Sequence, residues 1–164
     1  MSWRTFFLFL HILAAIIAFG PTFAFGILGA MGAKEPMHGN FALRVSKVIG
    51  NRLVDPFAFA VGAIGVVLIF VGEWDLFANE WLLVAIALYL FALAFSLFVQ
   101  DRWLKEMIRL SGGQEGTMPQ AEDLARIPAL ARKAQAGGML LALLLVAILL
   151  MMVWKPGACA GTGC

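Results

Sequence analysis

Apolar residues fall into four long runs separated by polar and charged stretches: Phe6 to Met31, Pro56 to Val71, Trp81 to Val99 and Gly137 to Trp154. A helix crosses the hydrocarbon of a bilayer in about 20 residues and needs roughly 17 at least, so each run is long enough, the second only just. The pattern predicts an all-α protein, a single membrane domain over residues 1–164 built as a four-helix bundle. Within the first run, steps of three and four from His11 reach Ala15, Ala18, Thr22, Gly26 and Gly29, which places all six on one helix face. Small residues on such a face let neighbouring helices approach closely. Pro21 deprives the Ile17 carbonyl of its donor and is expected to bend the helix.

The intervening stretches also have helical spacing. From His38 to Val54, Phe41, Val45, Val48 and Ile49 fall on one face, with Arg44, Lys47 and Asn51 mostly elsewhere. This pattern fits an interfacial helix lying on anionic cytoplasmic lipid, or a solvated helix that extends the second span inward. Asp55 and Pro56 read as a helix start, the carboxylate capping and the proline in the first turn. Arg52, one turn away, is placed either to pair with Asp55 or to bind an anionic group. In the second run Ala58, Gly62 and Gly65 form a small-residue seam, and in the third Ala85, Tyr89, Ala92 and Ser96 share a face. The Tyr89 phenol is expected to donate to a backbone carbonyl, with a bound ligand as the alternative partner.

Beyond the third run, Gln100 to Leu110 continues as a charged helix and breaks at Ser111, Gly112 and Gly113. Ala121 to Gln135 reads as a second short amphipathic cytoplasmic helix, acids first and bases last, in accord with the helix dipole. Pro128 is expected to interrupt or bend it.

Composition strengthens the membrane assignment: the chain is 62% hydrophobic and 13% charged, against about 45–50% apolar for an average soluble domain. Its net charge of +2 gives no sign of a nucleic-acid partner. Ten of the twelve lysines and arginines lie in the first and third loops and only Arg4 and Lys155 on the other side. The positive-inside rule then makes those loops cytoplasmic and both termini external. Trp3, Trp74, Trp81 and Trp154 would sit at the outer interface and Trp103 at the inner one. The first run is about twice as long as the 7–15-residue core of a signal peptide, which favours a retained span.

Several chemistries lack their residues. The sequence has no phosphate-binding glycine loop, no zinc-spaced Cys and His cluster, no haem c attachment signal and no paired acids inside a run. With no charge inside any run, a proton pump or ion-coupled transporter is not indicated. Cys159 and Cys164 are expected to close a small disulfide loop in an oxidising compartment, with soft-metal capture as the alternative.

His11 remains. It lies roughly 8 Å below the outer boundary at about 1.5 Å per residue, and an ionisable residue at membrane depth is a functional candidate by default. It is either a haem-iron ligand or a histidine bonded to a neighbouring helix's carbonyl. His38 is about 40 Å away along the helix and cannot join it. Met151 and Met152 lie at comparable depth in the fourth run, which allows a His and Met pair or a haem held by His11 alone.

The arrangement Leu10-His11-Ile12 with Gly20, then Arg52, Asp55-Pro56, Gly65, Gly72 and Trp81-Leu82 resembles a bacterial family of predicted integral membrane proteins of unknown function. It is more distantly similar to the CopD copper-resistance proteins and to HemJ, a membrane-embedded protoporphyrinogen oxidase. The resemblance implies a bacterial inner-membrane protein. The HemJ likeness implies haem b bound through His11, and the CopD likeness implies copper handling by Cys159, Cys164 or the outer methionines. HemJ-like proteins also carry a lysine in the third membrane helix; none lies between Trp81 and Val99, which argues against porphyrinogen oxidase activity. A cofactor-free subunit docked through its small-residue faces on a larger membrane complex, or on a second copy, is the other reading.

Overall fold

The structure, a computed structural model, describes residues 2–72, 79–112 and 121–155. Among them are four helices long and apolar enough to cross a membrane: Trp3–Lys34, Met37–Val71, Glu80–Leu110 and Glu122–Trp154. At about 1.5 Å per residue each is roughly 46–53 Å long, so well over a turn of each stands beyond about 30 Å of hydrocarbon. The expected all-α membrane bundle is what forms.

Helix α1 (Trp3–Lys34) begins where the Ser2 hydroxyl accepts from the Thr5 amide and runs unbroken through Pro21. It ends at Glu35, whose φ of −121° and ψ of 79° are non-helical. The residue before a proline is pushed out of the helical region, and Pro36 then opens α2 (Pro36–Ile49), where its missing amide costs nothing. The chain thus reverses over one residue. The two helices cross closely because Gly32 meets Gly39: a Cβ on Gly39 would lie 3.3 Å from the Gly32 carbonyl oxygen.

Two expectations about the loops are corrected. The segment after His38 does not lie flat on the membrane, and Asp55 does not start a helix. Instead α2 passes through a π-helical turn, Gly50–Val54, directly into α3 (Asp55–Val71). Pro56 has no amide to offer and its ring would strike the carbonyl four residues back. The wider turn, in which the Asp55 amide donates to Gly50 five residues back, takes up the misfit without ending the helix. The alternative expectation, an inward extension of the second span, is the one realised.

The third span does the same. Helix α4 (Glu80–Phe95) continues through a second π-helical turn, Ser96–Gln100, into α5 (Asp101–Leu110), the expected charged continuation. Helix α6 (Ala121–Trp154) is also unbroken, so the short amphipathic helix expected before Gly137 is the start of the fourth span. Pro128 does not interrupt it. It is exposed, at the polar end of the helix, where water can satisfy the carbonyl that loses its donor.

Helix α1 packs on α2 and α3, while α4 and α5 pack on α6; the two halves meet where α1 touches α6 and α2 touches α5. The interior is built of small residues, Ala14, Ala18, Ala58 and Ala85, with Val61, Leu82, Met107 and Leu110. Large side chains such as Phe23, Phe59, Phe91, Phe98 and Leu143 point outward. Between helices in lipid there is no hydrophobic drive, so close backbone approach through small residues takes its place. The expected stripe on α1 serves this purpose only in its first half, since Gly26 and Gly29 are exposed, with nothing within 4 Å of an added Cβ.

Trp3 and Trp154 are exposed at the ends of their helices, as interfacial indoles are. Trp81 is not. It is 5% exposed, its ring amine donates to the Asn79 side chain at 3.3 Å, and the Lys155 ammonium lies 5.8 Å from its ring centroid. Trp74, Cys159 and Cys164 lie outside the described residues.

Candidate functional site

The seam on α3 organises the polar groups within the membrane. Ala58, Gly62 and Gly65 succeed one another at steps of four and three, and each receives a polar side chain from a neighbouring helix. The Tyr89 hydroxyl, on α4, donates to the Ala58 carbonyl at 2.8 Å. Its ring lies over Gly62 so closely that a Cβ there would come 2.6 Å from the hydroxyl oxygen. The expected carbonyl partner for Tyr89 is therefore found.

One turn further along, His11 of α1 lies on Gly65: an added Cβ would be 3.3 Å from Cε1 and 3.7 Å from Nδ1. At Gly62 a methyl would collide with the ring, and at Gly65 it would be tight against it. The His11 Nδ1 atom is enclosed and has no hydrogen-bond partner. A buried unpaired polar atom is uncommon in folded proteins and asks for an explanation.

Met151 and Met152 are half-buried in the last turn of α6, the helix that packs mainly on α4 and α5. His11 is seated on α3 instead. His38 stands at the far end of α1's partner helix, 3.2 Å from Glu35. Among the described residues no three of His, Cys, Asp and Glu are grouped to hold a metal ion.

A second polar cluster ties the extended helix ends together. Lys47 of α2 pairs with Asp101 of α5, which also meets Lys105 at 2.6 Å. The Asn40 amide donates to the Ser111 hydroxyl at 2.8 Å and to the Ser111 and Ile108 carbonyls at 3.3 and 3.4 Å. Arg52 makes no ion pair with Asp55; it is exposed.

The Gln100 amide, in the second π-helical turn, donates to the Ala134 carbonyl of α6 at 2.9 Å, while its oxygen is enclosed and unpartnered. Gly137 leaves the space: a Cβ there would lie 2.4 Å from that oxygen and 3.0 Å from the Trp103 ring. Gln100 and Gly137 carried no signal in the sequence beyond a helix boundary and a glycine pair. A glutamine next to an apolar run, facing a glycine on another span, is the pattern that would have found them.

Four apolar helices, small-residue packing and a few half-buried polar groups define a small polytopic integral membrane protein. The chain belongs to the DUF2269 family of predicted integral membrane proteins, whose model matches residues 5–156. No curated protein and no solved structure matches it.

Proposed function

We propose that this protein binds haem b, with His11 as the iron ligand. The observation that carries the proposal is the seat of His11 on α3. Metal-ligating histidines usually turn one ring nitrogen to a carbonyl or carboxylate and coordinate with the other. Nδ1 of His11 is turned into the α1–α3 interface, against Gly65. A small rotation that brings it to a carbonyl of α3 would fix the tautomer and leave the Nε2 lone pair for iron. Gly65 gives the ring its room, and Tyr89, through its bond to Ala58, holds α3 in place one turn away.

When bound, haem supplies one-electron redox chemistry. The chain supplies a neutral imidazole, a low-dielectric setting and exclusion of water. Met151 and Met152 are the sulfur donors at comparable depth, and a haem held by His11 alone needs neither. The same reading places the protein in a bacterial inner membrane with both termini outside, in accord with ten of twelve basic residues in the first and third loops. Copper handling is the weaker reading, because it rests on Cys159 and Cys164, outside the described residues, and on methionine sulfurs alone.

The test is the absorption spectrum of the gently solubilised protein, oxidised and dithionite-reduced, beside His11→Ala expressed with the same haem supply. A near-stoichiometric Soret band that shifts on reduction and is lost in the variant is expected. A colourless wild-type protein after haem-supplemented expression would overturn the proposal and leave His11 a packing residue in a cofactor-free membrane subunit.

A further inference from the structure

The buried side chains fall into two separate groups. Near the end of the bundle where α1 begins are Ala14 and Ala18 of α1, Ala58 and Val61 of α3 and the start of α4 from Trp81 to Ala85; toward the far end, where α1 turns into α2, are Met107 and Leu110 of α5. Among the described residues only Gly137 is buried between the groups, and it has no side chain. Each group has its own polar ties. Tyr89 bonds Ala58 and Lys155 stands over Trp81 in the near one, while Lys47 pairs with Asp101 and Asn40 bonds Ser111 in the far one.

All four spans are weak at the height between the groups. Counted from the contact of His11 with Gly65 at about 1.5 Å per residue, Pro21 and Pro56 both lie about 14–15 Å toward the far end, and Gly26 and Gly50 both about 22 Å. The stretch of α1 from Pro21 to Gly26 therefore runs beside the first π-helical turn, Gly50–Val54. Lys47, just before that turn, pairs with Asp101, which directly follows the second, Ser96–Gln100. Gln100 in its turn meets α6 at Ala134 and at Gly137, the first of a glycine pair. Prolines, π-helical turns and adjacent glycines are where helices bend. One of them on one span is a detail of packing, whereas four at one height, in the gap between two cores, make a joint. The joint is also incompletely bonded, since Gln100 holds the Ala134 carbonyl while its enclosed oxygen has no donor.

We propose that the protein bends at this height, the near block with His11 swinging on the far block about the contact of Gln100 with α6. A change of about 10° in the bend moves a point about 20 Å from the joint by about 3–4 Å. The inference is independent of any haem.

The experiment measures distances between pairs of spin labels by pulsed electron double resonance, on the full chain in nanodiscs with Cys159 and Cys164 replaced by serine. Labels go on exposed positions, Val66→Cys and Leu150→Cys in the near block and Phe41→Cys and Leu124→Cys in the far one. Narrow distributions are expected for Val66 with Leu150 and for Phe41 with Leu124. The pairs that cross the joint, Val66 with Leu124 and Leu150 with Phe41, should be broader by about 3–4 Å, the displacement of such a bend. Deleting Phe98, which is exposed, removes the extra residue of the second π-helical turn while keeping the helix in register on both sides, and should narrow the crossing pairs. If that deletion fails to fold, Gly26→Ala with Gly138→Ala carries the test: an added Cβ meets nothing within 4 Å at Gly26 and only the Gln100 amide nitrogen at 4.0 Å at Gly138, so both spans stiffen without a clash. Crossing pairs as narrow as the pairs within a block would overturn the proposal. So would pairs within a block as broad as the crossing ones, or a crossing width unchanged in the folded stiffened variants, because the motion would then lie elsewhere.

Discussion

The Tyr89 hydroxyl and the Ala58 carbonyl, 2.8 Å apart, join α4 to α3 inside the membrane, with Gly62 as the floor beneath the ring. An interhelical bond of this kind averages about 0.6 kcal/mol and reaches about 1.7 at most. Tyr89→Phe should therefore lower stability by about 0.5–1.5 kcal/mol, read by thermal or denaturant unfolding in detergent. Gly62→Ala should cost more, about 1–3 kcal/mol, because its methyl must displace the ring. If Gly62→Ala proved neutral, the close approach would be wrong.

Gly65 and His11 are linked in the same way but with more space. The 3.3 Å from a Cβ at Gly65 to Cε1 is tight, and a second carbon layer has no room. Gly65→Val should turn the imidazole out of its seat. If His11 holds haem as proposed, the expected result is loss of most of the Soret absorbance with helicity retained by circular dichroism. Full absorbance in Gly65→Val would separate His11's seat from cofactor binding.

The Lys47 and Asp101 pair joins the extended ends of α2 and α5, and both side chains are mostly enclosed, at 19% and 23% exposure. Exposed pairs contribute about 0–1 kcal/mol, whereas removing one partner of a buried pair costs about 3–5. Asp101→Ala, which strands Lys47, should fall between, at about 1–2 kcal/mol. Lys105→Ala, at 63% exposure, should stay under about 0.5. Unfolding midpoints in low and high salt would check both, and the difference between the variants should persist in salt because the inner pair is shielded from it.

Glycines on the spans should divide sharply. Gly137→Ala places a carbon 2.4 Å from the Gln100 oxygen and 3.0 Å from Trp103, so a drop of about 1–3 kcal/mol is expected. Gly26→Ala meets nothing within 4 Å and should be neutral or stabilising by about 0.5–1 kcal/mol, the gain from replacing a mid-helix glycine. Equal effects at the two positions, measured side by side, would contradict the packing of α6 on the second π-helical turn.

Periodicity made the seam on α3 legible, since Ala58, Gly62 and Gly65 can be counted off as one face and Tyr89 stands out as the chain's single tyrosine. The same counting misled on α1, where Gly26 and Gly29 share the face of His11 but diverge from the neighbours that cover Ala14 and Ala18. Helices in contact cross at an angle, so a straight stripe stays in an interface for only a few turns. Asp55-Pro56 misled for a different reason. The pair is a strong start signal for a helix in water, but here the preceding residues are already helical and a π-helical turn absorbs the proline.

By itself the sequence determined the number of spans, the all-helical class and the segments in which charge gathers. These follow from the cost of leaving backbone polar groups or charges in hydrocarbon, a penalty that is local and adds along the chain. Only the tertiary structure decided which half of the small-residue stripe is buried, that Trp81 is a core residue, and that His11 rests on Gly65 while Tyr89 rests on Gly62. Those outcomes depend on which helix surfaces meet, and in lipid that choice turns on close packing between residues far apart in the chain, a quantity no local pattern of apolar and polar positions encodes.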